Sequence, residues 1–276
     1  MGFLFFSDCQ HNLKSSQPYQ RFKRTLARVR SNKEPENKGE VYAGNLETIP
    51  YTKRKHFVLF TKSTEIQAGE FRIQEVRRKF KDDILPPEHP ESIRVHSIGT
   101  KILKAMQREL KLEEDYNRWE ILILDQPAVK ASSCIGGKIT ITTGMLDRHP
   151  TDTEIATFLA HEIAHVVARH AAEGIKLFGK KLPIYNKPSL ILLPVLRRLE
   201  IEADYISLHL MAAAGYDPRI VPQVYAKRTK TGSGLCHYLS RTHPSRKKRA
   251  RLLSRARVMK EAMAIYQKNN GTQRQS

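Results

Sequence analysis

Cysteine is scarce in this chain of 276 residues: Cys9, Cys134 and Cys236 stand far apart, with no C-x-x-C pair. That spacing argues against a disulfide scaffold and against zinc held by thiolates, and it fits a reducing or neutral compartment. Long apolar runs are missing too. SLILLPVL at 189–196 is interrupted by Pro194, and a bilayer-spanning helix needs about 20 such residues. The leading MGFLFF is too short for a signal-peptide core followed by a cleavage site. Aromatic residues make up 8% of the chain and no nucleic-acid-binding motif is present, so no specific nucleic-acid partner is expected. Acid is in deficit: 28 Asp and Glu against 48 Lys and Arg leave a formal charge of +20. The charge is spread over Lys53-Arg54-Lys55, Arg77-Arg78-Lys79, Lys180-Lys181 and Arg246-Lys247-Lys248-Arg249. Such a field suits an anionic membrane surface, acidic proteins or nucleic acid without choosing among them.

A hydrophobic fraction of 40% is that of a soluble globular protein, and the length fits one catalytic domain with an N-terminal extension. The informative segment is HEIAH at 161–165. Thr151 and Glu154 form a capping box that starts a helix near Asp152. Ile155, Leu159, Ile163, Val166 and Val167 recur at helical spacing, and Gly174 is the first expected stop. Four residues are about 400° of rotation, so His161 and His165 share a face, with Glu162 about 100° round from His161. Two imidazoles one turn apart with a carboxylate beside them suit Zn²⁺ and a general base for peptide hydrolysis.

A catalytic zinc needs a third protein ligand and an open position. The metzincin pattern fails, because Ala168 and Ala171 stand where glycine and histidine are required. His170 is one place out of register and reads as a helix-end residue. A second helix, RRLEIEADYISLHLMAAAGYDP at 197–218, places Glu200 and Asp204 on one face and stops at Gly215 and Pro218. Buried acids need a cation or donors. Glu200 is therefore the expected third ligand, and Asp204 the acceptor for a ligand histidine's second N–H. The competing reading pairs both acids with Arg197 or Arg198. Glu202 points elsewhere and is expected to be solvated or paired with Arg198.

WEILILD (119–125) and KITITTG (138–144) read as the two strands of a hairpin. An exposed edge there suits strand addition by a peptide substrate; an ordinary core hairpin fits equally well. The stretch 64–112 reads mainly helical, broken at Pro86-Pro87 and Pro90. Residues 245–267 read as one helix closing the core, with a membrane-surface role as the alternative. Residues 1–40 form a basic segment, flexible or targeting; within it 10–33 contain Ser and no acid, a composition that permits a mitochondrial transit peptide, and 31–40 is a turn-rich join. Residues 41–90 form an N-terminal extension and 91–267 the catalytic domain. Residues 268–276 are expected to be a disordered tail.

HEIAHVVARH, EIEADYISLHL and RTHPS (241–245), in that order, resemble metallopeptidase family 48, which includes the HtpX heat-shock proteases and the CAAX prenyl proteases. NLETIPYTKRKHFVL, ILPPEHPESIRV, GGKITITTGMLD and AAAGYDPRIVPQVY look, within it, like the Oma-type mitochondrial inner-membrane proteases, particularly plant ones. The resemblance implies an α+β, mostly helical, zincin-like (gluzincin) fold with a small hairpin or sheet beside the HExxH helix. It implies one Zn²⁺ per chain held by His161, His165 and Glu200, with Glu162 as general base. His243 matches the histidine of the family's Thr-His-Pro element, which suggests steadying the oxyanion or gating the site; a structural role before Pro244 is the alternative. His237 has no such match and reads as a surface residue. Protein or peptide substrates, mitochondrial membrane protein quality control and inner-membrane association follow from the same resemblance.

Two departures stand out. Lys130 and Ala131 replace the usual Asn-Ala before the Gly-Gly strand, and the hydrophobic connection ahead of Glu200 is shortened. The second leaves open an inactive relative that retains the fold. A basic membrane- or nucleic-acid-binding protein with an incidental HEIAH is the reading from another class.

Overall fold

The computed structural model of the protein describes residues 46–58, 61–111, 118–178, 193–227 and 243–273. Outside them lie the targeting-like segment 1–40, Cys9, Lys180-Lys181, the first half of the apolar run at 189–196, Cys236 and His237.

A short antiparallel hairpin of β1 (Leu46–Thr48) and β2 (Lys55–Phe57) comes first. The Thr61 hydroxyl caps α1 (Lys62–Lys79) by accepting from the Thr64 N–H. The proline-rich break follows, and Pro90 opens α2 (Pro90–Leu110), where its missing N–H has no partner to lose. Val95, Ile98, Ile102 and Met106 of α2 recur at helical spacing and face the core.

The sheet consists of β3 (Glu120–Leu124), β4 (Ala131–Cys134) and β5 (Lys138–Thr142) in the order β3-β5-β4. The expected hairpin between the first and last of these does not form: β3 runs parallel to β5, and β4 is the antiparallel hairpin partner. Gly136 and Gly137, at φ of 80° and 89°, make the reversal into β5, a conformation open to glycine at little cost. With one edge of β5 taken by β4, β3 pairs along the other. A Cβ on Gly136 would come within 2.6 Å of the Glu65 carbonyl oxygen, so this turn packs directly on α1. All of β5 is buried, its threonines included; Thr140 shares a hydrogen bond of 3.0 Å with Ser132.

After α3 (Thr143–Arg148) comes α4 (Asp152–Val167), the HEIAH helix, begun by the complete Thr151–Glu154 capping box. It ends before Gly174. Arg169 takes a left-handed φ of 53°, and α5 (His170–Phe178) starts anew with Gly174 inside it. A left-handed residue other than glycine costs about 1–2 kcal/mol. Here the guanidinium is held by Glu65 Oε2 at 3.0 Å and by Glu47, which offsets that cost.

Next come α6 (Leu193–Ala213), closed by Gly215 at φ 77°, and α7 (Val221–Ala226). The expected single C-terminal helix is two: α8 (Arg246–Leu253), capped by Ser245, and α9 (Ala256–Gln273), which extends past the expected start of the tail. The core forms where α4 lies along α6 and against α2 and β4. Ile155, Leu159 and Ile163 alternate there with Ala156, Ala160 and Ala164, small residues that let α6 approach closely. The architecture is α+β and mostly helical, as expected. Among the described residues, no helix is long and apolar enough to cross a membrane.

Candidate metal centre

Helix α4 supplies His161 and His165, and α6 supplies Glu200, despite the short connection between them. One ligand atom from each lies within 4.8 Å of the others. Glu200 Oε2 is 3.2 Å from His161 Nε2 and 3.6 Å from His165 Nε2, and the two Nε2 atoms are 3.2 Å apart. His243 Nδ1 approaches the same carboxylate oxygen to 2.5 Å. That oxygen is buried and meets only imidazole nitrogens. A buried, desolvated carboxylate oxygen facing two imidazole nitrogens calls for a cation. Histidine nitrogen and carboxylate oxygen are also the donor set of a catalytic zinc site.

The rear of His161 is fixed by Asp204. Its Nδ1 lies 3.1 Å from Asp204 Oδ1, and since a carboxylate only accepts, Nδ1 carries a hydrogen, which leaves Nε2 as the nitrogen turned to the site. Asp204 is held in turn by Arg249 of α8, at 2.5 and 2.8 Å, while the same guanidinium donates to Tyr225 at 2.9 Å and stacks on its ring. Burial opposes the Asp204 charge, but Arg249 outweighs it and holds the carboxyl down to about 2. Burial likewise works against a proton on His161, yet Asp204 and Glu200 raise its pKa to about 9. The pocket attracts positive charge. Asp204 therefore pairs with Arg249, a residue of the basic run at 246–249, rather than with Arg197 or Arg198.

Glu162 flanks the cluster without joining it. Its Oε2 accepts the Ser133 backbone N–H at 2.6 Å and the Ser133 hydroxyl at 2.7 Å, which ties α4 to strand β4. Burial opposes its ionisation, but His161 and His165 prevail and lower the pKa. Lys130, one of the two departures from the family pattern, is depressed to about 8 by burial, partly offset by the nearby Cys134 and Glu162.

Two expectations are corrected. His170 does not sit at the end of the HEIAH helix: it opens α5 and is fully buried behind His165, the two Nδ1 atoms 2.9 Å apart. The left-handed turn at Arg169 puts it there, whereas a continuous helix would carry it about 140° away. Glu202 is neither solvated nor paired with Arg198. It is buried, accepts from Thr52 at 2.7 Å, faces His170 Nε2 at 3.2 Å and is chelated by Arg54 at 2.7–3.1 Å. Arg54 reaches Glu173 with its other edge at 2.7 and 2.8 Å, so one guanidinium bridges two carboxylates. Ser133, Arg249 and Arg54 carry no sequence signal of these roles. Only the unmet charge of Asp204 hints that some cation must be near.

The pattern of peptidase family M48 matches residues 91–185 and 179–257. The chain is 36% identical to the mitochondrial metalloendopeptidase OMA1 of Arabidopsis thaliana, over 81% of this chain and 63% of that protein. It is 29% identical to the Saccharomyces cerevisiae OMA1, over 83% of this chain and 73% of that one. For the human protein of the same name the figures are 26%, 83% and 49%. The chain thus spans less than two thirds of the plant relative and about half of the human one.

Proposed function

The chain belongs to peptidase family M48, and from that premise we propose that it is a zinc metalloendopeptidase with His161, His165 and Glu200 as ligands and Glu162 as general base. One observation carries the reading: three ligand atoms from two helices converge within 4.8 Å, the carboxylate oxygen among them buried. A metallopeptidase family implies a metal and protein or peptide substrates; zinc is our assignment from the donor set.

The chemistry that a bound Zn²⁺ supplies in such a setting is Lewis acidity, which polarises a carbonyl and makes water more acidic. The residues do the rest. Asp204 holds His161 in the tautomer that ligates. Glu162 is ionised and anchored through Oε2, so Oε1 is left to take a proton from the attacking water and return it to the leaving amine. His243, beside Glu200, is placed to steady the oxyanion or to gate access to the site.

We assign residues 91–267 to the catalytic domain, with the 41–90 extension contributing Arg54 to its surroundings, and 1–40 to targeting. The OMA1 relatives are named as mitochondrial, and we place this chain in the mitochondrion, at the inner membrane through its basic surface, in membrane protein quality control. The test is metal analysis with casein cleavage by the purified chain. One zinc per chain, with cleavage abolished by a chelator and restored by Zn²⁺, is the expected result. Cleavage indifferent to chelation, or no zinc bound, overturns the assignment.

A further inference from the structure

Behind His165, on the side away from Glu200, stands a second buried imidazole. His165 and His170 meet Nδ1 to Nδ1 at 2.9 Å with their rings at 76°. The other nitrogen of His170, Nε2, faces Glu202 Oε2 at 3.2 Å. Donor and acceptor roles along this line are forced. A carboxylate only accepts, so His170 Nε2 carries a hydrogen. With that hydrogen on Nε2, the neutral His170 ring presents Nδ1 as an acceptor 2.9 Å from His165 Nδ1. His165 Nδ1 must then be the N–H, which leaves His165 Nε2 bare towards Glu200 and His161.

We propose that His170 is a positioning residue for the metal centre, fixing the tautomer and ring orientation of His165, and that Glu202, clamped by Arg54, fixes His170 in turn. The inference rests on the metal-centre reading above and extends it to residues beyond the ligand set. Two features show that the arrangement is built in. The left-handed Arg169, held by Glu65 and Glu47, swings His170 behind its partner. Arg54 and Thr52, from the segment around the β1–β2 hairpin, supply four hydrogen bonds to Glu202 at 2.7–3.1 Å. That segment lies outside the stretch matched by the family pattern. A ligand from the catalytic helix is thus oriented by residues drawn from well before it.

The test is zinc affinity, measured on the full chain by competition with a chromophoric chelator, alongside thermal melting of the metal-free forms. His170→Ala is expected to weaken zinc binding about tenfold or more, the usual consequence of removing such a partner. His170→Asn, whose amide oxygen can stand near the lost Nδ1, is expected to recover most of the loss. The visible absorption of the Co²⁺-loaded Ala variant should also move. Zinc affinity equal to wild type, or a lowered melting temperature with affinity unchanged, makes His170 merely structural and overturns the proposal while leaving the metal centre intact. If the Ala variant does not fold, His170→Phe fills the space without an acceptor and must show the same tenfold loss. A wild-type chain that takes up no zinc overturns this inference and the reading beneath it together.

Discussion

Ser133 delivers both of its hydrogens, from the backbone N–H and from the hydroxyl, to a single oxygen of Glu162, at 2.6 and 2.7 Å. The carboxylate beside the two histidines is therefore oriented by the sheet edge as well as by its own helix. Two charge-assisted bonds on one oxygen keep the other available for proton transfer.

Glu162→Gln removes the base and keeps the shape, since the amide oxygen can still accept from Ser133. Casein cleavage is expected to fall by about 10²–10⁴, with zinc content unchanged because Glu162 is not in the ligand cluster. Cleavage equal to wild type would remove Glu162 from the mechanism.

Asp204→Asn takes away the anion that orients His161 and balances Arg249. Zinc affinity is expected to drop by about 10–100-fold. Stability should fall by on the order of 3 kcal/mol, since Arg249 is left buried without its counter-charge. Chelator competition and urea unfolding measure the two effects separately.

At Arg169 the backbone and the side chain can be tested apart. Substitution by Ala or Gly loses the same pairings with Glu47 and Glu65. Only Ala also retains the left-handed penalty. The Gly variant is expected to be the more stable of the two by up to about 1 kcal/mol, after allowing for the greater freedom of glycine when unfolded. An Ala variant as stable as the Gly variant would mean that the turn is not strained.

Acid should weaken the protein through Glu173. Burial raises its pKa, but bonds from His56 and Arg54 prevail and lower it from 4.5 to about 2. A carboxyl depressed on folding contributes stability that is fully present above its unfolded pKa and is lost as pH falls through the folded one. The contribution is therefore intact above pH 4.5 and disappears towards pH 2. Melting temperatures across this window should show a shallower decline for Arg54→Ala than for wild type.

What the sequence made legible was local. The capping box at Thr151, the shared face of His161 and His165, and the shared face of Glu200 and Asp204 all follow from spacing within one helix. The parallel direction of the β3–β5 pairing did not, because a glycine pair turns β4 into the hairpin partner within the segment that reads as a loop. The helix break at Arg169 has no glycine or proline to announce it. Its support comes from Glu47 and Glu65, more than a hundred positions away along the chain. Arg249 and Arg54 sit within basic runs that look like solvated surface, and nothing in those runs distinguishes the cation that will be buried. Long-range charge pairing is the part of the site that local pattern cannot carry.

The guanidinium of Arg54, wedged between Glu173 and Glu202, gives the molecule an electrical boundary that differs from its family boundary. A chain shortened to 91–257 keeps every ligand yet leaves two facing carboxylates without the cation that joins them. Its first failure is one of charge balance, with coordination suffering afterwards. On the proposed reading, a metal-binding piece of this chain must reach back at least to the first hairpin.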